Sequence, residues 1–87
     1  MDYRVTHEFK LAGDPPDQAA TDRLRDRLRA AVPGSGANVE LGLGRMRVVM
    51  TIEASDASAA VELARTGTAT VMRSGAAHTD VEPAEPV

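Results

Sequence analysis

Eighty-seven residues, no cysteine and a formal charge of −3 bound this chain before any pattern is read. Disulfides, thiolate metal sites and cysteine nucleophiles are excluded, and the acidic balance argues against polyanions as partners. One domain of this length buries only about 60–65% of its unfolded surface, so its stability should be of the order of 5 kcal/mol and open to help from a partner subunit.

A small secreted domain without disulfides is unusual, which favours a reducing cytoplasm as the location. No apolar run approaches the roughly 20 residues of a membrane span, and the amino terminus lacks a signal-peptide shape. Lys10 is the single lysine among ten basic residues, and alanine is abundant. That bias fits GC-rich coding, as in GC-rich bacteria or their phages, and carries no mechanism. Tyr3 and Phe9 are the only aromatic residues. Since aromatic side chains dominate recognition hot spots and base stacking, this scarcity weakens several functional readings.

From Tyr3 to Leu11 the chain alternates: Tyr3, Val5, His7, Phe9 and Leu11 point one way, and Arg4, Thr6, Glu8 and Lys10 the other. This predicts a half-buried strand. Gly13-Asp14-Pro15-Pro16-Asp17 ends it, because two prolines cannot continue a ladder. Residues 17–32 then read as a helix with Asp17 as N-cap and Ala20, Leu24, Leu28 and Ala31 on one face. Asp22–Arg25 and Asp26–Arg29 are spaced to pair on its surface. Pro33-Gly34-Ser35-Gly36 stops it.

Val39, Leu41 and Leu43 alternate with Glu40 and Gly42, predicting a short second strand. Gly42 and Gly44 bracket a tight reversal into Met46–Ala54, where Met46, Val48, Met50, Ile52 and Ala54 face the core. Ser55 or Asp56 caps a second helix whose inner face is Ala57, Ala60, Val61, Ala64, Thr68 and Val71. Thr66-Gly67-Thr68 puts three poor helix formers in a row and is expected to kink or end it. Gly75 is a natural stop. Residues 77–82 form a last short strand, and Pro83 and Pro86 force an exposed, flexible acidic tail over 83–87.

The order β-α-β-β-α-β, with one apolar face per strand, fits an α+β domain over 1–82: a four-stranded antiparallel sheet with two helices on one face. The first and third strands, the longest and most regular, are those that lie at the centre of the ferredoxin-like plait. The chain resembles that superfold over nearly its whole length, and a superfold carries no function with it.

Functional variants of the plait can be tested residue by residue. RNA-recognition motifs stack bases on aromatics of the two central strands; the outward residues here, Arg4, Thr6, Glu8, Lys10, Arg47, Val49, Thr51 and Glu53, include none. Metal-transport domains of this fold use a Cys-x-x-Cys loop, which is absent. Acylphosphatases need a glycine-rich phosphate loop with an arginine after the first strand, whereas Leu11-Ala-Gly-Asp-Pro-Pro-Asp offers one glycine and two acids. Gly34-x-Gly36 and Gly42-x-Gly44 do not open helices after strands and read as turn glycines. Arg23, Arg25, Arg27 and Arg29 project around their helix and are partly neutralised by Asp22 and Asp26, a solvated face rather than a phosphate track.

His7 stands out, mid-strand on the apolar face where Leu or Ile would be ordinary. It reads first as a core histidine satisfied by a hydrogen bond, and second as a ligand-contacting group beside Met50 in a pocket between sheet and helices. No second histidine or acid shares that face, so a catalytic dyad lacks its partner. Met46, Met50 and Met72 read as core filling. The expectation is a non-catalytic protein-interaction module without cofactor or metal, binding itself as a homodimer through its sheet or an edge strand, or another protein, with the short, Gly-rich second strand exposed at an edge and Arg4, Glu8, Arg47, Val49 and Thr51 as candidate interaction surface. A small accessory protein that binds a host or cellular factor belongs to the same class, and neither nucleic acid nor membrane is an expected partner. The alternative is a small-ligand-binding domain, or a small plait-fold enzyme of the monooxygenase kind, using a cavity near His7.

Overall fold

The alternation of the first strand becomes the floor of a core. In the computed structural model, which describes residues 1–11, 17–72 and 78–84, β1 (Asp2–Lys10) buries Val5, His7 and Phe9 and leaves Arg4 and Lys10 exposed. After it come α1 (Gln18–Ala31), β2 (Asn38–Gly42), β3 (Arg45–Glu53), α2 (Ala57–Val71) and β4 (His78–Pro83). The sheet order is β2-β3-β1-β4 with every neighbour antiparallel, so this is the ferredoxin-like plait and its two central strands are the two longest. β3 alternates strictly, burying Met46, Val48, Met50 and Ile52. These pack with Val5 and Phe9 against Leu28 of α1 and Ala60 and Ala64 of α2. Among the described residues no helix is long and apolar enough to cross a membrane.

Both helices start where a carboxylate can satisfy free amide groups. Asp17 accepts from Ala20 N at 2.8 Å, and Asp56, not Ser55, accepts from Ala59 N at 2.7 Å. On α1, Asp22 pairs with Arg25 at 3.5 Å as its spacing predicts. Asp26 lies nearer Arg25, at 3.6 Å, because Arg29 is used elsewhere: its Nε donates to the Ala37 carbonyl at 2.9 Å and fastens the approach to β2.

The Thr66-Gly67-Thr68 run does not break α2, which continues to Val71. Thr66, Thr68 and Thr70 turn their hydroxyls back onto the carbonyls of Glu62, Ala64 and Thr66, so they compete little with the helix ladder. Gly67 is there for space. A Cβ built on it would overlap the Val32 Cγ2 methyl at the end of α1, so the missing side chain is what lets the helices meet. Local propensity yields here to tertiary packing.

The last strand runs one residue past where its prolines suggest, through Pro83, and residue 77 of the expected 77–82 lies outside the described residues. Pro83 sits opposite Tyr3, and Ala84 N donates to Asp2 O at 2.9 Å. Even-numbered residues of β4 therefore bond to β1, and the missing N–H of Pro83 falls on the free edge, where a sheet tolerates it. The tail expected from Pro83 thus begins no earlier than residue 85, and 85–87 lie outside the described residues, as do Gly75 and residues 12–16.

Gly67→Ala adds about 1 kcal/mol of helix propensity but forces overpacking, which typically costs about 1–3 kcal/mol. The expected outcome is a lower urea midpoint. In a Val32→Ala background the obstructing methyl is gone and the same substitution should raise the midpoint, a reversal of sign that a propensity effect alone cannot produce.

Candidate functional site

Two places hold the residues that sequence reasoning selects, one under the helices and one on the uncovered side of the sheet. His7 and Met50 belong to the first. They are 2% and 1% exposed, on the neighbouring central strands β1 and β3. His7 Nδ1 is hydrogen-bonded to Thr79 Oγ1 of β4 at 2.9 Å, possible because Thr79 is its partner across the ladder. The ring lies 6.4 Å from that of Phe9, tilted by 55°. Nε2 has no hydrogen-bond partner of ordinary geometry. Burial holds the imidazole below its usual pKa, and the backbone at Ala64 of α2, which favours the protonated ring, opposes that only in part.

The second place is the helix-free face. The register puts Arg4 opposite Thr51, Thr6 opposite Val49, and Glu8 opposite Arg47, so all five candidate surface residues share two adjacent strands. Glu8 Oε1 lies 3.1 Å from Arg45 Nη1 and 3.8 Å from Arg47 Nε, while Arg4 pairs with Glu82 of β4 at 3.2 Å. His78 and Asp80 on β4 are 3.2 Å apart. Between these pairs runs an open cleft of about 320 Å³ lined by Arg4, Thr6, Glu8, Arg47, Asp80 and Glu82. Exposed pairs of this kind contribute about 0–1 kcal/mol each. They also make the face expensive to dry, and Val49, half-buried, is its one apolar side chain among the five candidates. The geometry suits wet, electrostatic contact better than tight stacking on another sheet.

A third feature, the exposed second strand that the sequence also offers for association, lies at the edge next to this face. Leu41 and Leu43, the apolar side of the alternation in this strand, are 43% and 100% exposed. Leu43 is not in the strand; with Gly44 it forms the two-residue turn into β3, and Gly44 takes the left-handed φ of 68° that such a turn needs. Its position between two glycines was the available signal. β2 ends the sheet on this side, and Glu40 is its only charged residue.

The hydrogen-bond parity of that edge follows from two bonds. Thr51 N donates to Ser35 O, on the β2 side of β3, and Leu11 N donates to Gly44 O, on the β1 side. Odd residues of β3 therefore bond toward β2, through Asn38, Glu40 and Gly42. The backbone groups of Val39 and Leu41 are left facing outward from the sheet.

No family model, curated protein or solved structure matches this chain.

The lowered pKa of His7 has a consequence for stability with a definite sign. The unfolded chain takes up a proton near pH 6.5 while the folded chain resists it, so stability should be undiminished above about 6.5 and fall as pH drops below it. Urea midpoints at pH 7.5 and 5 should show that fall, and His7→Leu should remove this part of it. An NMR titration placing the ring pKa at or above 6.5 would contradict the buried, neutral histidine described above.

Proposed function

We propose that this chain is a non-catalytic protein-interaction module that engages a protein partner, its own second copy or another protein, through the uncovered β2 edge, with the charged face of Arg4, Glu8, Arg47, Val49 and Thr51 flanking the contact. The observation that carries this reading is the coincidence of three things at one place: outward-facing backbone groups at Val39 and Leu41, two exposed leucines, and almost no charge to repel an incoming strand. Edge strands in stable monomers are ordinarily guarded by lysine, proline, a bulge or a covering element. β2 carries none of the side-chain guards. Strand addition draws affinity from main-chain hydrogen bonds and specificity from alternate side chains, a mode that needs neither aromatic hot spots nor a deep pocket. It therefore suits a chain with two aromatic residues.

A second reading, a small-ligand domain or plait-fold enzyme around His7 and Met50, draws support from the buried, unpartnered Nε2. It requires α2 to lift from the sheet, since both side chains are nearly inaccessible. Rapid exchange of the His7 ring proton with water in the native state would favour it.

A photo-crosslinking residue placed at Leu41, compared with one at exposed Arg65 on α2, tests the first reading in cells that make the protein. Crosslinks to protein, self or other, are expected from position 41 and not from position 65. Equal yields from the two positions would remove the β2 edge as the binding site.

A further inference from the structure

Resting on the reading of β2 as the binding edge, we infer that its occupant is a second copy of this chain, paired antiparallel about a twofold axis at Leu41, so that Leu41 faces Leu41 of the other copy and Glu40 faces Gly42. Three twofold registers keep the helices of both copies on one side of a continuous sheet, centred on Val39, on Glu40 or on Leu41, because a shift by one residue in the pairing sum would turn one copy over. The residues at the edge discriminate among them.

The Val39-centred register needs Ala37 of each chain opposite Leu41 of the other. Arg29 already holds the Ala37 carbonyl at 2.9 Å, and its side chain occupies that end of the edge. The Glu40-centred register sets two carboxylates directly opposite each other, in the closer type of antiparallel pair, and like charges so placed are destabilising. It also sets Leu43, fully exposed, opposite Ala37, which is already buried within its own copy.

The Leu41-centred register removes both faults. Gly42 has no side chain, and Arg45, its partner on β3, lies over it, with Cγ 3.3 Å and Nε 3.7 Å from where a Cβ would be. Glu40 of one copy therefore comes up against Arg45 of the other. Along the row that crosses the interface Glu8, Arg47, Glu40 and Arg45 of the second copy alternate in sign, that Arg45 then lying between the incoming Glu40 and its own Glu8, 3.1 Å from its Nη1. On the opposite face Leu41 meets its counterpart, and the turn residue Leu43 comes alongside Val39. This register makes fewer ladder bonds than the Glu40-centred one. Each such bond only replaces one to water, however, while the leucines leave water altogether. An isologous contact of this kind is closed, which fits a discrete dimer.

The absence of native cysteine makes the register directly readable. A hydrogen-bonded antiparallel pair spaces its Cα atoms at about 5.5 Å, within disulfide reach. Light scattering on the wild-type chain should give a mass near twice 9.2 kDa. Under mild oxidation Leu41→Cys should form covalent dimer about tenfold faster than Val39→Cys or Glu40→Cys, since only the axial residue meets itself at that distance. Glu40→Arg and Arg45→Glu should each weaken dimerisation about tenfold, and the double variant should recover most of the loss. Fastest linkage at position 40 or 39, or no recovery in the double variant, overturns the register and leaves the edge reading intact. A monomer at high micromolar concentration overturns the second copy as occupant, with the photo-crosslinking at Leu41 still deciding the edge. A wild-type dimer in which none of the three cysteines links overturns the proposal and the edge reading together.

Discussion

Helix α2 can lie where it does because Ala60, Ala64, Gly67 and Thr68 give its inner side almost no thickness. Everything above the sheet is arranged around that narrow seat. It brings the backbone at Ala64 to His7, and it lets Val32 at the end of α1 fill the space a side chain at Gly67 would take. Close approach of backbone to core is an old use of glycine and alanine, with a cost in helix propensity of about 1 kcal/mol for Gly67. Dense packing returns more than that, since a well-filled interior loses several kcal/mol when a large side chain is emptied from it. The same seat draws α1 toward α2. With Leu24 and Leu28 as its large apolar residues, α1 closes the core over the sheet but leaves Leu41 exposed. The exposed edge is thus a by-product of how the helices fit.

Much of this architecture was legible in the chain because it rests on strong local signals. Period-two alternation over nine residues located β1 and β3, and the placement of Asp17 and Asp56 before helical periodicity located both helix starts. The departures share one cause: a residue's local preference was overruled by something distant in sequence. Gly67 reads as a breaker until Val32 is placed beside it. Pro83 reads as the end of a strand until the free edge is known to be on its N–H side.

The function was less legible than the fold, and the reason is physical. A catalytic or metal site announces itself by residue types whose chemistry is specific. A strand edge recognises through peptide groups that every residue possesses, so its signature lies in what surrounds it: which backbone groups face outward, and whether guards are present. The five outward residues from β1 and β3 were correctly assigned to one face, and the register brings them together. Their charges, however, cost desolvation if another surface presses on them, so the face serves better as a flank than as a centre of contact.

The two edges of the sheet are not equivalent, and that asymmetry bears on how far association can run. β4 presents Pro83 on its free edge and carries Asp80 and Glu82, features that discourage a further strand. β2 presents Leu41 and a single carboxylate, with Leu43 in the turn at its end. Twofold pairing at β2 would consume both permissive edges at once and leave only the two β4 edges outward, so a sheet built this way stops at eight strands. A head-to-tail contact joining β2 to β4 would instead leave one edge of each kind free at every step and could extend without limit. The guards on β4 oppose that second mode. On the proposed twofold pairing, negative charge and proline on one edge, with openness on the other, would favour closure over growth without any residue dedicated to counting subunits.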